Sequence, residues 1–408
     1  MRALETAAVV TVGTELTTGH RLDTNGAEVA LALVNAGYVV REMVSVPDDP
    51  DAIEIALRGL ISRHEMVVVT GGLGPTHDDV TREAAAHVLG RALIRDERIA
   101  EALTARVSIH REPASAISLL HQADVIEGAR VLSATVGTAP GQVIEDGGHT
   151  LVILPGPPHE MRPMLHLALT GRTAAAPPIA LRCVGITESD AGSRVLPLIE
   201  RYPDVDLTLL GGPGQVDVIL VSQSGDPAPL SEAASAARLA LADSCFSSDG
   251  STLAETVIGL AAERGVRLAT AESCTGGLIA AALTDVPGSS QVFGGSVVAY
   301  ANETKSALLG VEPTILAAHG AVSEPVARAM ARGALAIPGT ALAVATTGIA
   351  GPGGGSPDKP LGTVWFAIAT DKGVESAEQH RYGGDRMMVR QRALTTALDL
   401  LRRSLLER

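Results

Sequence analysis

The residues best suited to chemistry lie in three segments of the last third of the chain. The first is Ala271-Glu272-Ser273-Cys274-Thr275-Gly276-Gly277, and the second is Ala299-Tyr300-Ala301-Asn302-Glu303-Thr304-Lys305. The third is a glycine-rich run that begins Thr346-Thr347-Gly348-Ile349-Ala350-Gly351-Pro352-Gly353-Gly354. Ser273 is a candidate nucleophile and Lys305 a candidate base, because a lysine partly desolvated beside a sheet loses its charge readily. Tyr300 can relay a proton or orient the lysine. The glycine run can wrap a ligand with backbone N–H groups where side chains are absent. Each residue also has a plainer reading. Ser273 can be a helix N-cap, Lys305 a solvated helix lysine and Tyr300 a strand aromatic. Cys274 is a rival nucleophile without a base, since His319 falls in a glycine-flanked turn and His380 in a late strand. Ser356-x-x-Lys359 has the spacing of a serine–lysine dyad, but it sits in a Gly/Pro loop rather than on a helix.

The elements around these segments must position them. Val266–Ala271 reads as a strand that turns through residues 272–277 into a helix over Leu278–Thr284. Ser273 therefore sits at a strand-to-helix junction. The N–H groups of Thr275, Gly276 and Gly277 are expected to favour an oxyanion there. Gly295–Tyr300 reads as a strand, followed by a helix capped by Asn302 that carries Lys305 one turn in. Ala341–Thr346 is a strand that delivers Thr347 and Gly348. Asp385-Arg386 opens the last helix, with Arg390 and Arg392 further along. An arginine there can clamp a phosphate bidentately or lie on the surface.

The first part of the chain alternates strands and helices: Ala7–Val12, Val39–Val46 and Met66–Thr70 as strands, with Pro50–Ile61 as a helix. That alternation implies a parallel sheet covered on both faces, with ligands beyond the carboxyl ends of its strands. Thr70-Gly71-Gly72-Leu73-Gly74-Pro75-Thr76-His77-Asp78-Asp79 lies at one such end. Asp78 and Asp79 can hold a Mg²⁺-like ion that bridges phosphates, or one of them can cap the helix that follows. Glu160, in Leu154-Pro155-Gly156-Pro157-Pro158-His159-Glu160, can be a further ligand or a first-turn acid favoured by the helix dipole. Neither a Walker loop nor G-x-G-x-x-G occurs here.

Composition bounds the rest. A chain of 408 residues exceeds one domain. Aromatic residues are 2% and the net charge is −14, which argues against a nucleic-acid partner. The three cysteines are far apart in sequence, with no C-x-x-C spacing, as in a reducing cytosol. No apolar run is long enough for a membrane span, so a cytoplasmic protein without membrane contact is expected. Proline and small residues mark linkers at 173–178 and at Ser244–Gly250. Between them lies a small α+β unit. Its Gly211-Gly212-Pro213-Gly214 has the spacing of a nucleic-acid-binding G-x-x-G loop, but no lysine or arginine accompanies it, so it reads as a turn.

Several blocks together resemble the CinA family. In the first domain they are Gly13-Thr14-Glu15-Leu16, Asp23-Thr24-Asn25, the Thr70–Thr81 block, Gly137-Thr138-Ala139-Pro140-Gly141 and Pro155–Met161. They look like that family's molybdopterin-binding-type domain. In the last domain they are the three opening segments, Pro287-Gly288-Ser289-Ser290, His319–Glu324 and Lys359-Pro360-x-Gly362-Thr363-Val364-Trp365. They look like its nicotinamide mononucleotide deamidase domain. The resemblance implies an α/β protein in three parts. Residues 1–172 would form a doubly wound parallel sheet like that of MoaB and MogA, 178–246 a KH-like connector, and 250–408 an α/β amidase. It further implies hydrolysis of nicotinamide mononucleotide to nicotinate mononucleotide and ammonia, in pyridine nucleotide salvage. Ser273 would be the nucleophile, with Tyr300 and Lys305 its activators. Thr347 would bind or polarise the amide, Arg386 would help hold the ribose phosphate, and no cofactor would be needed. For the first domain it implies a nucleotide-like ligand and, in some members, ADP-ribose cleavage with Co²⁺ or Mg²⁺ at Asp78, Asp79 and Glu160. The family usually carries Asn-Pro before Gly137, where this chain has Ser133-Ala134-Thr135-Val136. A homodimer is expected. The alternative reading is a non-enzymatic nucleotide-binding or scaffold protein linked to competence or DNA damage.

Overall fold

The computed structural model describes residues 5–106, 119–134, 136–371 and 373–408. They form two compact units, one up to Pro178 with Ser222–Pro227, the other Ile179–Val221 with Ala228–Arg408.

In the first unit the strands are β1 (Thr6–Val12), β2 (Val39–Val46), β3 (Met66–Thr70), β4 (Leu93–Arg95), β5 (Asp124–Ile126), β6 (Arg130–Leu132), β7 (Gly141–Asp146) and β8 (His149–Leu154). Among the described residues the main sheet runs β2-β1-β3-β8-β7-β6. β1 lies parallel to β2 and β3, and β3 lies parallel to β8. Every residue of β3 is buried, as an apolar run in the middle of a doubly covered sheet requires. Separate apolar cores fill the two faces, one including Ile53, Leu57 and Ala85, the other Val29, Leu33 and Met164. The expected doubly wound sheet is therefore present, closed on one edge by the antiparallel pairs β8/β7 and β7/β6.

The second unit holds two sheets. β9 (Ile179–Val184), β10 (Val205–Gly212), β11 (Gln215–Ser222) and β12 (Cys245–Ser247) are ordered β10-β11-β9-β12. The glycine run expected to be a turn does close the β10/β11 hairpin. The stretch expected to be a linker at Ser244–Gly250 instead contributes β12, which pairs antiparallel with β9. Pairing there covers the backbone groups that an open β9 edge would expose.

β13 (Leu268–Glu272), β14 (Phe293–Val298), β15 (Leu342–Gly348), β16 (Thr363–Thr370) and β17 (Gly373–Arg381) form the last sheet, ordered β14-β13-β15-β16-β17. β13 is parallel to both β14 and β15. On one face the strands present alanines (Ala269, Ala271, Ala343, Ala345) against helix Glu324–Ala334. Small side chains let that helix lie close. The other face packs Leu268, Val344 and Phe366 against helices Leu253–Arg264 and Arg386–Leu406. The first of these helices starts with a capping box between Thr252 and Glu255. The second starts at Asp385, whose carboxylate accepts from Met388 N–H. Among the described residues no helix is long and apolar enough to cross a membrane.

Candidate active site

Because β14, β13 and β15 are adjacent and parallel, their carboxyl ends come together. Glu272 is in register with Val298 on one side and Thr346 on the other. The three segments singled out from the sequence therefore meet at one sheet edge. Ser273 follows β13 directly, its N–H donating to Thr346 O at 3.0 Å. Tyr300 lies just beyond β14, and Lys305 sits in helix Asn302–Leu309.

Lys305 is only 1% exposed. Its Nζ lies 2.9 Å from Ala299 O, 3.1 Å from Tyr300 O and 3.1 Å from Ser273 Oγ. Carbonyls only accept, so they take two N–H donors. In the neutral amine the position left over is the lone pair, aimed at Ser273 Oγ, which can then donate its O–H. Burial pulls the Lys305 pKa below the ordinary lysine value, against weaker opposing contributions from Cys274 and Glu303. No carboxylate lies within ion-pair distance of it among the described residues. Burial also pushes the Cys274 thiol up to about 12, which keeps it protonated and a poor rival nucleophile.

The turn after Ser273 differs from expectation. Ser273 does not cap the helix, and the N–H groups of Gly276 and Gly277 are not open to an oxyanion. Gly276 N–H donates back to Ser273 O. The Glu272 side chain, fully buried, takes Gly277 N–H at 2.9 Å, Ile279 N–H at 3.1 Å and Ala280 N–H at 2.8 Å. A carboxylate of the preceding strand thus occupies the amino end of the helix. Thr275 is buried, with its hydroxyl on Thr346 Oγ1 at 2.8 Å. The Thr275 and Cys274 carbonyls accept from Arg390 at 2.8 and 3.2 Å. The Thr275 side chain and carbonyl and the Gly277 N–H are therefore engaged in shaping the turn.

Gly348 is placed differently. Ile349 N–H donates to Thr363 O and Gly362 N–H to Ile349 O, so the polar groups of Ile349 face β16. By strand alternation those of Gly348 face the β13 side, beyond the Ser273–Thr346 bond. Gly348 lines the cavity beside Ser273. A Cβ at Gly348 would stand 2.7 Å from Val364 Cγ2 and 2.8 Å from Thr363 O, which excludes any larger residue without rearrangement.

The remaining candidates divide as follows. The Thr347 hydroxyl donates to Ala321 O at 2.8 Å, so its proton is not available to polarise an amide. Tyr300 reaches Lys305 through its carbonyl. Its phenol, on a side chain that is 61% exposed, instead accepts from Arg386 Nη2 at 3.0 Å. Arg386 Nη1 also donates to Gly351 O at 2.8 Å, joining the glycine loop to Tyr300. Asn302 does not cap its helix; the N-cap is Ala301, with no side-chain bond. Ser356 and Lys359 form a tight turn, and Lys359 Nζ donates to His319 O at 2.6 Å, so they make no dyad.

Ser273, Lys305, Tyr300, Thr347, Gly348 and Arg386 line one cavity of about 170 Å³. A second cavity of about 670 Å³ shares Ala350 and Arg386 with it and adds Arg381, Tyr382 and backbone from three glycine segments. The first is the size of a single ring with its substituent. The second has room and positive charge for a larger polar group.

In the first unit the motif loops also converge. Asn25 Nδ2 donates to Gly156 O at 2.6 Å and to Thr70 Oγ1 at 3.2 Å, and Thr70 Oγ1 donates to Pro155 O at 2.9 Å. The acids there are engaged with the protein. Asp79 accepts from Gly74 N–H at 2.7 Å, Thr76 N–H at 2.9 Å and Thr76 Oγ1 at 2.6 Å. Asp78 also lies against Thr76 Oγ1, whose one proton it shares with Asp79, and this contact lowers its pKa. Neither caps the next helix, whose N-cap is Val80. Glu160 rests against Gly137, and burial raises its pKa. Among the described residues no three His, Cys, Asp or Glu side chains form a group that could hold a metal, so Asp78, Asp79 and Glu160 do not fit a shared Co²⁺ or Mg²⁺ site. Of the segment that departs from the Asn-Pro pattern, Thr135 lies outside the described residues.

Comparison with known proteins places this architecture. Residues 250–405 match the family profile of the CinA C-terminal domain. Residues 8–175 match that of the probable molybdopterin binding domain. The chain belongs to the CinA family. A relative from Symbiobacterium thermophilum, described as competence-damage inducible, is 43% identical over 98% of this chain and 99% of its own length. A CinA-like protein of Acidobacterium capsulatum is 38% identical over 98% of this chain and 100% of its own. Among solved structures, the competence/damage inducible protein CihA from Agrobacterium tumefaciens is 45% identical, with 38% of this chain and 93% of that one covered and a TM-score of 0.36.

Proposed function

We propose that this protein is an amidase that hydrolyses the carboxamide of nicotinamide mononucleotide to a carboxylate and ammonia, with Ser273 as nucleophile. The observation that carries this reading is Lys305 Nζ, buried, 3.1 Å from Ser273 Oγ and fixed by two carbonyls. The neutral amine takes the Ser273 proton as Oγ attacks the amide carbon. Gly348 N–H, and not those of Gly276 and Gly277, stabilises the resulting oxyanion. The Lys305 ammonium then returns the proton to the leaving nitrogen, and ammonia departs. Water then attacks the acyl carbon as Lys305 takes one of its protons; Lys305 passes that proton to Ser273 Oγ as the ester C–O bond breaks, and the acid so formed loses its remaining proton to solvent as the carboxylate. The nicotinamide ring occupies the smaller cavity. The ribose phosphate extends past Arg386 into the larger one.

The test is ammonia release from nicotinamide mononucleotide. Ser273→Ala should lose at least ~10³-fold in kcat, in line with loss of a serine nucleophile. An alanine variant with near-normal turnover would remove Ser273 from the mechanism. In the first unit the converging loops suit a nucleotide-like ligand such as ADP-ribose. No hydrolytic step is assigned to it, because its three acids do not form a metal group.

A further inference from the structure

The three cysteines, distant in sequence, are not all distant in the fold. Cys183 on β9 and Cys245 on β12 stand directly opposite each other in the antiparallel pairing. Opposed residues in such a pair have Cα atoms about 4.5–5.5 Å apart. That range lies within the about 4.4–6.8 Å that a disulfide spans. The register shifts between Cys245 and Ser247, so the backbone beside the pair departs from a regular ladder. The Cys183 thiol lies on Leu181 O at 3.8 Å and the Cys245 thiol on Ser247 O at 3.4 Å, and both residues are free thiols. Cys183 is fully buried, whereas Cys245 is half-buried and reachable from solvent.

We propose that Cys183 and Cys245 form a redox modification site that a peroxide converts to a cross-strand disulfide. The Cys245 thiolate attacks one peroxide oxygen, the O–O bond breaks, and Cys245 becomes a sulfenic acid with release of water. The Cys183 sulfur then attacks the Cys245 sulfur. The S–O bond breaks and the hydroxyl leaves as a second water with the Cys183 proton. Two thiols and one hydrogen peroxide thus give one disulfide and two waters. The order follows from access and charge. The adjacent Cys183 thiol, aided by the Arg238 and Arg402 charges, lowers the pKa of the Cys245 thiol. The neighbouring Cys245 sulfur and burial push Cys183 up. Cys274, buried in the turn after β13, has no cysteine opposite it and stays a thiol. The bond would tie the first strand of the second unit to the strand that leads into helix Leu253–Arg264.

The experiment treats the full-length reduced protein with hydrogen peroxide, then alkylates it under denaturing conditions. Expected are one alkylatable thiol left of three, a mass loss of ~2 Da for the two hydrogens removed in forming the S–S bond, and a Cys183–Cys245 linked peptide that disappears with dithiothreitol. Cys183→Ser should instead trap Cys245 as a sulfenic acid that reacts with dimedone. Cys245→Ser should leave both remaining thiols alkylatable, and either serine variant must keep its melting transition to count. Three alkylatable thiols after peroxide, or a disulfide that includes Cys274, would overturn the proposal. The readout is thiol chemistry, so it stands or falls separately from ammonia release.

Discussion

The carboxyl ends of β1, β3 and β8 in the first unit, and of β14, β13 and β15 in the second, both run into glycine-rich loops beside acidic residues. In the first, Asp79 accepts three hydrogen bonds from its own loop and so fixes the loop's shape. In the second, Glu272 does the same for the turn after Ser273, but from a strand and fully buried. What the second edge adds is a helix that starts just past β14 and drives a lysine under the sheet edge. A shared architecture thus produces two glycine-rich loop clusters, of which the second places a buried lysine beside a serine hydroxyl. The difference lies in a single buried amine.

The largest effect that would test this contrast comes from that amine. Lys305→Met should lower ammonia release by ~10²–10⁴-fold, the usual worth of a positioned base. Its effect on the melting temperature should be small, because the relief of burying an ionisable group offsets the loss of the donor to the Ala299 and Tyr300 carbonyls. Full activity in Lys305→Met would erase the distinction between the two edges.

The same lysine sets a pH dependence. Its folded pKa lies below the ordinary value of 10.5 that applies when the chain is unfolded. Between those two values the unfolded state holds one more proton than the folded one, so stability rises with pH through that window. Below the folded pKa the full penalty of a buried ammonium is present. kcat should rise with pH across the lowered pKa as the free amine forms. Wild type and Lys305→Met, compared by melting temperature against pH, should diverge only in this window, and parallel curves would refute the assignment.

Glu272→Ala comes next. It leaves three N–H groups without their acceptor, one buried and two part-buried, at a cost of about 3 kcal/mol in stability, and loosens the turn that presents Ser273. Glu272→Gln keeps an acceptor and should recover most of the loss. Equal melting temperatures for wild type and Glu272→Ala would show that the turn holds without its carboxylate. The smallest effect is expected from Asp79→Asn, about 1 kcal/mol in melting experiments with ammonia release unchanged. A fall in ammonia release there would mean that the two edges are not independent.

Much of this edge was legible in the sequence. Apolar runs ending in glycine or serine marked β1, β3 and β13, and the spacing from Tyr300 to Lys305 placed the lysine one turn into a helix. The part played by Glu272 was not legible, because its partners are backbone amides five to eight residues onward, which leave no side-chain signature. Reading the 275–277 amides as free followed from the same gap. Arg390 was visible only as an arginine along a helix, since the carbonyls it holds, Cys274 O and Thr275 O, lie more than a hundred residues away in sequence. β12 is three residues long, too short for any periodicity, so Cys245 read as linker. In the first unit, Asp79 looked like a ligand or a cap because its engagement with Gly74 and Thr76 depends on how the loop folds back.

The Glu272 carboxylate also bears on how a reaction at Ser273 would finish. The substrate arrives as a neutral amide, and its acid product departs as an anion. An open helix amino end would bind that anion and retain it. Here those amides are already occupied by a fixed negative group, and Lys305, once returned to its uncharged form, offers no counter-ion. On the proposed amidase reading, ring and carboxylate would therefore be held less firmly after the reaction than before it, which would protect turnover against inhibition by its own product.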